Sequence, residues 1–257
     1  MTIATITLIG GPAAIIELAG LRFLTDPTFD GPGDYELPHV TLRKTAKPAL
    51  PAEEVGAIDA VLLSHDQHAD NLDTSGRALL PKAGRVFTTL AGAGRLGGNA
   101  IGLAHWESRE LESPDGDPLQ ITATPARHGP IGIEPFSGDV IGFVLSSKSH
   151  AFKPVYVTGD TVWFEGVAEV QRRFRPGLVL LFAGAAQTRG KFNLTMNAND
   201  AIEAASAFAG AAIVPLHTDG WAHFTESADD LERAFKALGH AARLRRIEPG
   251  VPAAFPL

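Results

Sequence analysis

The sequence predicts an α/β protein whose helices pack outside two β-sheets. Two patterns carry that expectation. Residues 2–26 alternate short β-branched runs with turn residues, and the second half alternates apolar strands with helical stretches. A third observation bears on domain number. Over 257 residues no repeat, low-complexity tract or linker divides the chain, so a single domain spanning 1–257 is expected.

Taken in order, Ile3, Ile6 and Leu8 lead to a break at Gly10-Gly11-Pro12. Strands at 13–18 and 21–24 follow, with a turn at Ala19-Gly20 between them. Residues 27–57 carry Pro27, Gly31, Pro32, Gly33, Pro38, Pro48 and Pro51 and read as a long surface loop, a candidate lid. His39 would enter a site beneath that lid. Buried strands are expected at 58–64, 86–89, 121–124, 140–145, 155–158, 178–182, 213–216 and 244–247. Helices are expected at 162–174, at 197–208 with Asn197 as N-cap, and at 227–238 with Ser227 as N-cap and Gly239 as the stop.

Composition removes several function classes. The charge balance is 22 Lys+Arg against 29 Asp+Glu, a net −7, which disfavours a sequence-independent nucleic-acid binder. The densest basic run, Arg243, Arg245 and Arg246, alternates with Leu244 and Ile247 and reads as a strand with a solvated face. No apolar stretch approaches the roughly 18 residues of a membrane span. No basic residue precedes Arg22, and Glu17 interrupts the apolar start, so no secretory signal is expected and a cytoplasmic location follows. Cysteine is absent, which excludes disulfides, thiolate ligands and thiol nucleophiles. Any metal must therefore be held by His, Asp, Glu, Asn or water.

The chemistry collects at strand ends. Ser64-His65-Asp66-Gln67-His68-Ala69-Asp70-Asn71-Leu72-Asp73 follows directly on the apolar run Ala60-Val61-Leu62-Leu63. Imidazoles and carboxylates projected from a rigid strand edge into one cleft are what a divalent cation requires. Three further strands end in a metal-competent side chain: His128 after Ile121, Asp160 after Val155 with Gly159 permitting a sharp turn, and His217 after Ile213. Each alone is a weak signal, and four in one chain are much harder to attribute to chance.

Rival motifs do not develop. Gly92-Ala93-Gly94-Arg95-Leu96-Gly97 matches G-x-G-x-x-G, but Gly97, Gly98, Asn99 and Gly102 would dissolve the helix that a dinucleotide site needs, and a short helix ending at glycines is expected instead. No G-x-S-x-G elbow exists, and no Ser–His–acid pattern supports a serine hydrolase.

The strand-end series, together with Leu24-Thr25-Asp26-Pro27, Thr124 to His128 and Gly159-Asp160-Thr161, resembles the metallo-β-lactamase superfamily of metal-dependent hydrolases. It looks most like the branch related to L-ascorbate-6-phosphate lactonase and N-acyl-phosphatidylethanolamine phospholipase D. The resemblance implies an αββα sandwich, two mixed sheets with helices on both outer faces and the site at one edge. It implies one ion held by His65, His68 and His128, and another by Asp70, His217 and a bridging Asp160. Against the family motif His-x-His-x-Asp-His, this chain has one extra residue between His65 and His68, with Gln67 and Asn71 at altered positions. Asn71 would be a weak ligand, so the second site is expected to be weaker or empty.

The implied chemistry is hydrolysis of an ester, lactone or phosphodiester-type small molecule by a metal-bound hydroxide, with Asp70 orienting the water. Zn is the expected cofactor, one or two ions, and nitrogen and oxygen ligands also permit Mn or Fe. Gln67 could line the pocket, and Arg127, Trp221 and His223 are candidate substrate contacts. Loop packing is the plainer reading of Trp221 and His223, and Arg127 could instead pair with Asp66 or Asp73. The competing expectation is a non-catalytic or regulatory member that keeps the fold and binds a small ligand over a degraded metal site. Substrate identity and oligomeric state leave no mark in the sequence.

Overall fold

The computed structural model describes residues 2–37, 40–114 and 116–257. His39 therefore lies outside the described residues. The first half contains β1 (Ile3–Gly10), β2 (Ala13–Leu18), β3 (Leu21–Thr25), β4 (Gly33–Leu37), β5 (Val40–Lys44), β6 (Ala60–Leu62), α1 (Thr74–Leu79), β7 (Arg85–Thr89), α2 (Leu90–Leu96) and β8 (Ala100–Leu103). The second half contains β9 (Ser108–Leu111), β10 (Leu119–Pro125), α3 (Glu134–Ser137), β11 (Ile141–Ser147), β12 (Val155–Val157), α4 (Glu165–Phe174), β13 (Leu178–Phe182), α5 (Ala198–Ala207), β14 (Ala212–Leu216), α6 (Ala228–Ala237) and β15 (Ala253–Pro256).

Thirteen of these strands form two sheets, in the orders β15-β1-β2-β3-β6-β7-β8 and β14-β13-β12-β11-β10-β9, and β4 and β5 pair only with each other. Each sheet is mixed. Strands β15 to β3 pair antiparallel and β3 to β8 parallel, while β14 to β12 pair parallel and β12 to β9 antiparallel. Between the sheets, Ile6, Ile16, Phe23 and Phe87 meet Ile121, Phe143, Leu180 and Phe182 in one buried core.

Helices cover the outer faces. On the second sheet Val167 and Val170 of α4, Ala201, Ala204 and Ala205 of α5, and Leu231 and Phe235 of α6 bury Val144, Tyr156, Val179 and Leu181. On the first sheet Leu72, Leu79 and Leu80 pack against Ile15, Leu24, Val61 and Val86. The αββα sandwich follows from this double burial. In β13 even the alternation disappears, because Leu178, Leu180 and Phe182 face the inner core while Val179 and Leu181 face the helices. The caps at Asn197 and Ser227 form as expected, with Asn197 accepting from the Asp200 amide at 2.9 Å and Ser227 in a capping box with Asp230.

Three expectations need correction. Residues 27–57 are not all loop, because they contain the β4–β5 hairpin. Its polar sequence hid it, and most of β4 is solvent-exposed. Its inner end is anchored, since the Ala222 amide donates to the Arg43 carbonyl at 2.9 Å and buried Lys44 pairs with Asp73 at 2.9 Å. Residues 244–247 do not form a strand; only Leu244 makes an isolated bridge, to Ile213. Nor does Arg243 face solvent alone, for its guanidinium donates to the carbonyls of Ala205 in the last turn of α5 and of Phe208 and Ala211 just past it. The G-x-G-x-x-G stretch is, as expected, a short helix: α2 ends at Gly97 with φ +63° and runs into β8. Among the described residues no helix is long and apolar enough to cross a membrane.

Candidate metal centre

The sheet directions position the site. Strands β6, β10, β12 and β14 all deliver their C-terminal ends to one edge of the sandwich, where loops can converge. The sequence-predicted residues meet there in two groups, His65 with His68 and His128, and Asp70 with Asp160 and His217. In the first group His68 Nδ1 lies 2.9 Å from His65 Nε2 and 3.2 Å from His128 Nε2. In the second, His217 Nε2 is 3.6 Å from Asp70 Oδ2. Asp160 links the two, with Oδ2 3.6 Å from His128 Nε2 and Oδ1 2.9 Å from His217 Nδ1.

Neighbouring groups aim these side chains. The Leu194 carbonyl lies 2.8 Å from His128 Nδ1 and accepts from it, which leaves Nε2 as a lone pair facing His68. Ser64 Oγ sits 3.0 Å from His65 Nδ1. Gly159, with φ +62°, makes the turn that swings Asp160 inward, and a Cβ there would lie 2.6 Å from the Ile141 carbonyl oxygen. His217 itself adopts φ +56°, a left-handed conformation held by its amide bonding to the Gly11 carbonyl at 2.8 Å. Backbone strain at a non-glycine position is a mark of functional sites.

Burial sets the electrostatics. It drives His65 well below its usual value and His68 down to about 4, so both imidazoles are neutral and free to ligate. For Asp70 burial acts upward, but the hydrogen bond and charge of His223 with the charges of His217 and His68 outweigh it and hold the carboxyl well down. Asp160 follows the same pattern, with His217 overcoming burial. Reciprocally His217 is raised, because the charge and hydrogen bond of Asp160 exceed the effect of burial. Asp26, at the end of β3, is pushed up to about 8 by burial and by the Asp160 charge, and accepts from the Ser64 amide at 2.6 Å.

The neutral imidazoles of His65 and His68, the ionised carboxylates of Asp70 and Asp160, and two buried atoms without a hydrogen-bond partner, Asp160 Oδ2 and His217 Nε2, fit divalent cations that accept nitrogen and oxygen ligands.

The remaining expected residues divide. Asn71 is fully buried, with Nδ2 turned to Asp26 Oδ2 at 3.4 Å and its Oδ1 unpartnered. Gln67 lines a cavity of about 240 Å³ that opens onto Asp70, His68 and His128. His223 lines the same cavity, with Nε2 2.9 Å from Asp70 Oδ2. Trp221 is buried under Lys44 and beside Tyr35 and does not line that cavity, in keeping with the packing reading. Arg127 pairs with neither Asp66 nor Asp73; it lies over the Phe164 ring, 4.9 Å from the centroid, in a groove beyond His128. Asp66 is held by Arg95, and Asp73 by Lys44 and the Gly76 amide.

Sequence reasoning missed the cavity walls, Leu42 from the hairpin, Ile133 and Phe136 from around α3, and Leu194 and Arg189 from the loop before α5. Asp26 carried a signal in its Asp-Pro step after β3, yet no role was drawn from it.

The pattern of the beta-lactamase superfamily domain matches residues 21–218, which includes all six expected ligands. The chain belongs to the beta-lactamase superfamily. Within the superfamily it is 26% identical over 255 residues to the UPF0173 protein YddR of Bacillus subtilis, covering 95% of this chain and 97% of YddR. A UPF0173 metal-dependent hydrolase of Caldivirga maquilingensis is also 26% identical, covering 94% of each chain. Among solved structures, the isothiocyanate hydrolase from Delia radicum gut bacteria superposes with TM-score 0.84 at 25% identity, over 98% of this chain and 100% of that one. The metallo hydrolase Igni18 from Ignicoccus hospitalis shares the fold at TM-score 0.73 and 21% identity, over 99% of both chains. His223 lies beyond the matched span.

Proposed function

We propose that this superfamily member is a metal-dependent hydrolase of small molecules. The observation that carries the proposal is the pair of three-residue ligand groups bridged by Asp160 and opening onto a cavity. His65, His68 and His128 would hold one ion, and Asp70, Asp160 and His217 a second. Zn suits this donor set best, and Mn or Fe also fits it. A bound divalent ion there would supply Lewis acidity and bring the pKa of a water down to about 7. The protein's own part is positional. Asp70, fixed by His223, orients the attacking water and takes its proton, while Asp160 holds the two ligand groups in register. The cavity wall keeps bulk water from the reacting bond.

Of the three substrate types implied by the resemblance, an ester or lactone suits the cavity better than a phosphodiester. Its walls are mainly aliphatic and aromatic, with Leu42, Ile133, Phe136 and Leu194, and would desolvate an anionic phosphoryl group at a cost. The similarity to an isothiocyanate hydrolase supports the same direction, toward a compact electrophilic carbon on an apolar body. The acidic, cysteine-free composition fits a cytoplasmic enzyme.

The test is turnover of a panel of aryl esters, lactones, isothiocyanates and phosphodiesters by the Zn- and Mn-loaded protein. Hydrolysis of the neutral carbon electrophiles that disappears in His68→Ala and Asp70→Ala is the expected result. Metal binding with no turnover across the panel would favour the small-ligand-binding alternative, which the Asn71 departure motivates.

A further inference from the structure

The cavity beside the ligand groups is lined by two unlike kinds of residue. His68, Asp70, His128 and His223 bring polar groups to it. Leu42, Ile133, Phe136 and Leu194 give it an apolar wall. Arg189, solvent-exposed, is the only Lys or Arg among the lining residues.

Arg189 makes no ion pair or hydrogen bond among the described residues. Its guanidinium instead lies over the Phe136 ring, 5.6 Å from the centroid. Stacking on an aromatic face orients the guanidinium plane and leaves its N–H edge free for a planar anion. Most other arginines near the site are engaged: Arg95 holds Asp66, Arg77 donates to the Asp66 carbonyl, and Arg43 pairs with Asp34. On a chain of net charge −7, an unpaired cation at the rim of a cavity would also draw anions toward it.

The cavity volume of about 240 Å³ is roughly that of eight waters. A single small molecule can therefore fill it and meet both the ligand groups and Arg189, which line the same space. An anion set against the apolar wall would be left unpaired, whereas beside Arg189 it gains a charge-assisted bidentate partner.

We infer that the substrate is a compact amphiphile, with its hydrolysable carbon at the His68–Asp70 end, an apolar body against Phe136 and Leu194, and a carboxylate-type anion held by Arg189. This rests on the metal-hydrolase reading above and adds the identity of the substrate's far end.

The test compares two metal-chelating probes that differ only at that end, benzohydroxamate and 4-carboxybenzohydroxamate. Binding of each to the full-length Zn-loaded protein is measured by titration calorimetry. The expected result is a preference of about five- to tenfold for the carboxylated probe. In Arg189→Ala that ratio falls to about one, and in Arg189→Glu it inverts. Equal affinity of the two probes for the wild-type protein, or a preference that survives Arg189→Ala, would overturn the inference while leaving the metal centre standing. If neither probe binds, the metal-centre reading itself fails, and this inference with it.

Discussion

His223 Nε2 lies 2.9 Å from Asp70 Oδ2, joining residues 153 positions apart in the chain. The family motif would have a histidine at position 71, and this chain instead has Asn71, whose Nδ2 turns toward Asp26. His223 is side-chain buried and sits between Phe224 and Trp221, so its ring has little freedom. Its hydrogen bond is also the leading influence that opposes burial at Asp70.

Removing that imidazole should loosen the Asp70 carboxylate without disturbing the His65, His68 and His128 group. His223→Ala is expected to weaken the second ion about 10- to 100-fold, the usual effect of losing a partner that orients a ligand, and to leave the first ion in place. Metal titration followed by elemental analysis reads both. Loss of both ions together, or of neither, contradicts this account of the contact.

The metal-free protein should have an unusual pH–stability profile. Unfolded histidines titrate near 6.5, whereas native His68 is held near 4 and His65 well below 6.5, so between about pH 4 and 6.5 the unfolded chain gains two protons there. Over the same range native Asp26, raised from 3.8 to about 8, keeps one proton that the unfolded chain has lost. Because two histidines in the unfolded state outweigh one carboxyl in the native state, stability rises with pH over this range. Above 6.5 the sign reverses. Native Asp26 and His217 then hold protons that the unfolded chain lacks, and stability falls toward pH 8. Denaturant unfolding of chelator-treated protein should therefore be most stable near pH 6.5. A steady rise through pH 8 would contradict these assignments.

Gly159 gives a purely structural test. With φ +62° and the Ile141 carbonyl oxygen 2.6 Å from an added Cβ, Gly159→Ala combines backbone strain with a backbone clash. A loss of about 2–4 kcal/mol is expected in calorimetric unfolding. Because Asp160 follows directly, metal occupancy should drop in parallel. A variant as stable as the parent would show that the turn is looser than described.

Lys44 anchors the hairpin that walls the cavity, and its pairing with Asp73 is almost wholly buried. Lys44→Ala strands the Asp73 carboxylate, although the Gly76 and Asp30 amides still donate to it. The destabilisation should be about 3 kcal/mol, the lower end for a broken buried pair. Leu42 lies two residues from Lys44 in β5 and lines the cavity, so KM should rise more than kcat falls. Steady-state kinetics on any substrate found in the panel separates the two effects.

The chemistry was legible in the sequence where it sits directly on a strand end. His65, His128, Asp160 and His217 each follow an apolar run by a few residues, and the fold then has little choice about where they meet. His223 was visible as a residue rich in chemical options, but its partner was not, since nothing local connects it with Asp70. The β4–β5 hairpin escaped because its strands bury little and hold each other by backbone pairing. The glycines and prolines around it read as loop. Cavity-lining residues such as Leu42, Phe136 and Arg189 escaped for a different reason: they come from a hairpin strand, a short helix and a loop far apart in the chain, and nothing local connects them. The Arg243 run misled because alternation of basic and apolar residues serves an arginine that caps helix carbonyls as well as it serves a strand.

Everything proposed for this protein depends on divalent ions in the two adjacent residue groups. Elemental analysis of the purified protein, combined with anomalous scattering at the metal absorption edges, reads their occupancy. A well-occupied ion among His65, His68 and His128 is expected, with a second, less occupied one among Asp70, Asp160 and His217. A natively folded protein that carries no ion and takes up none from Zn, Mn or Fe would contradict that expectation.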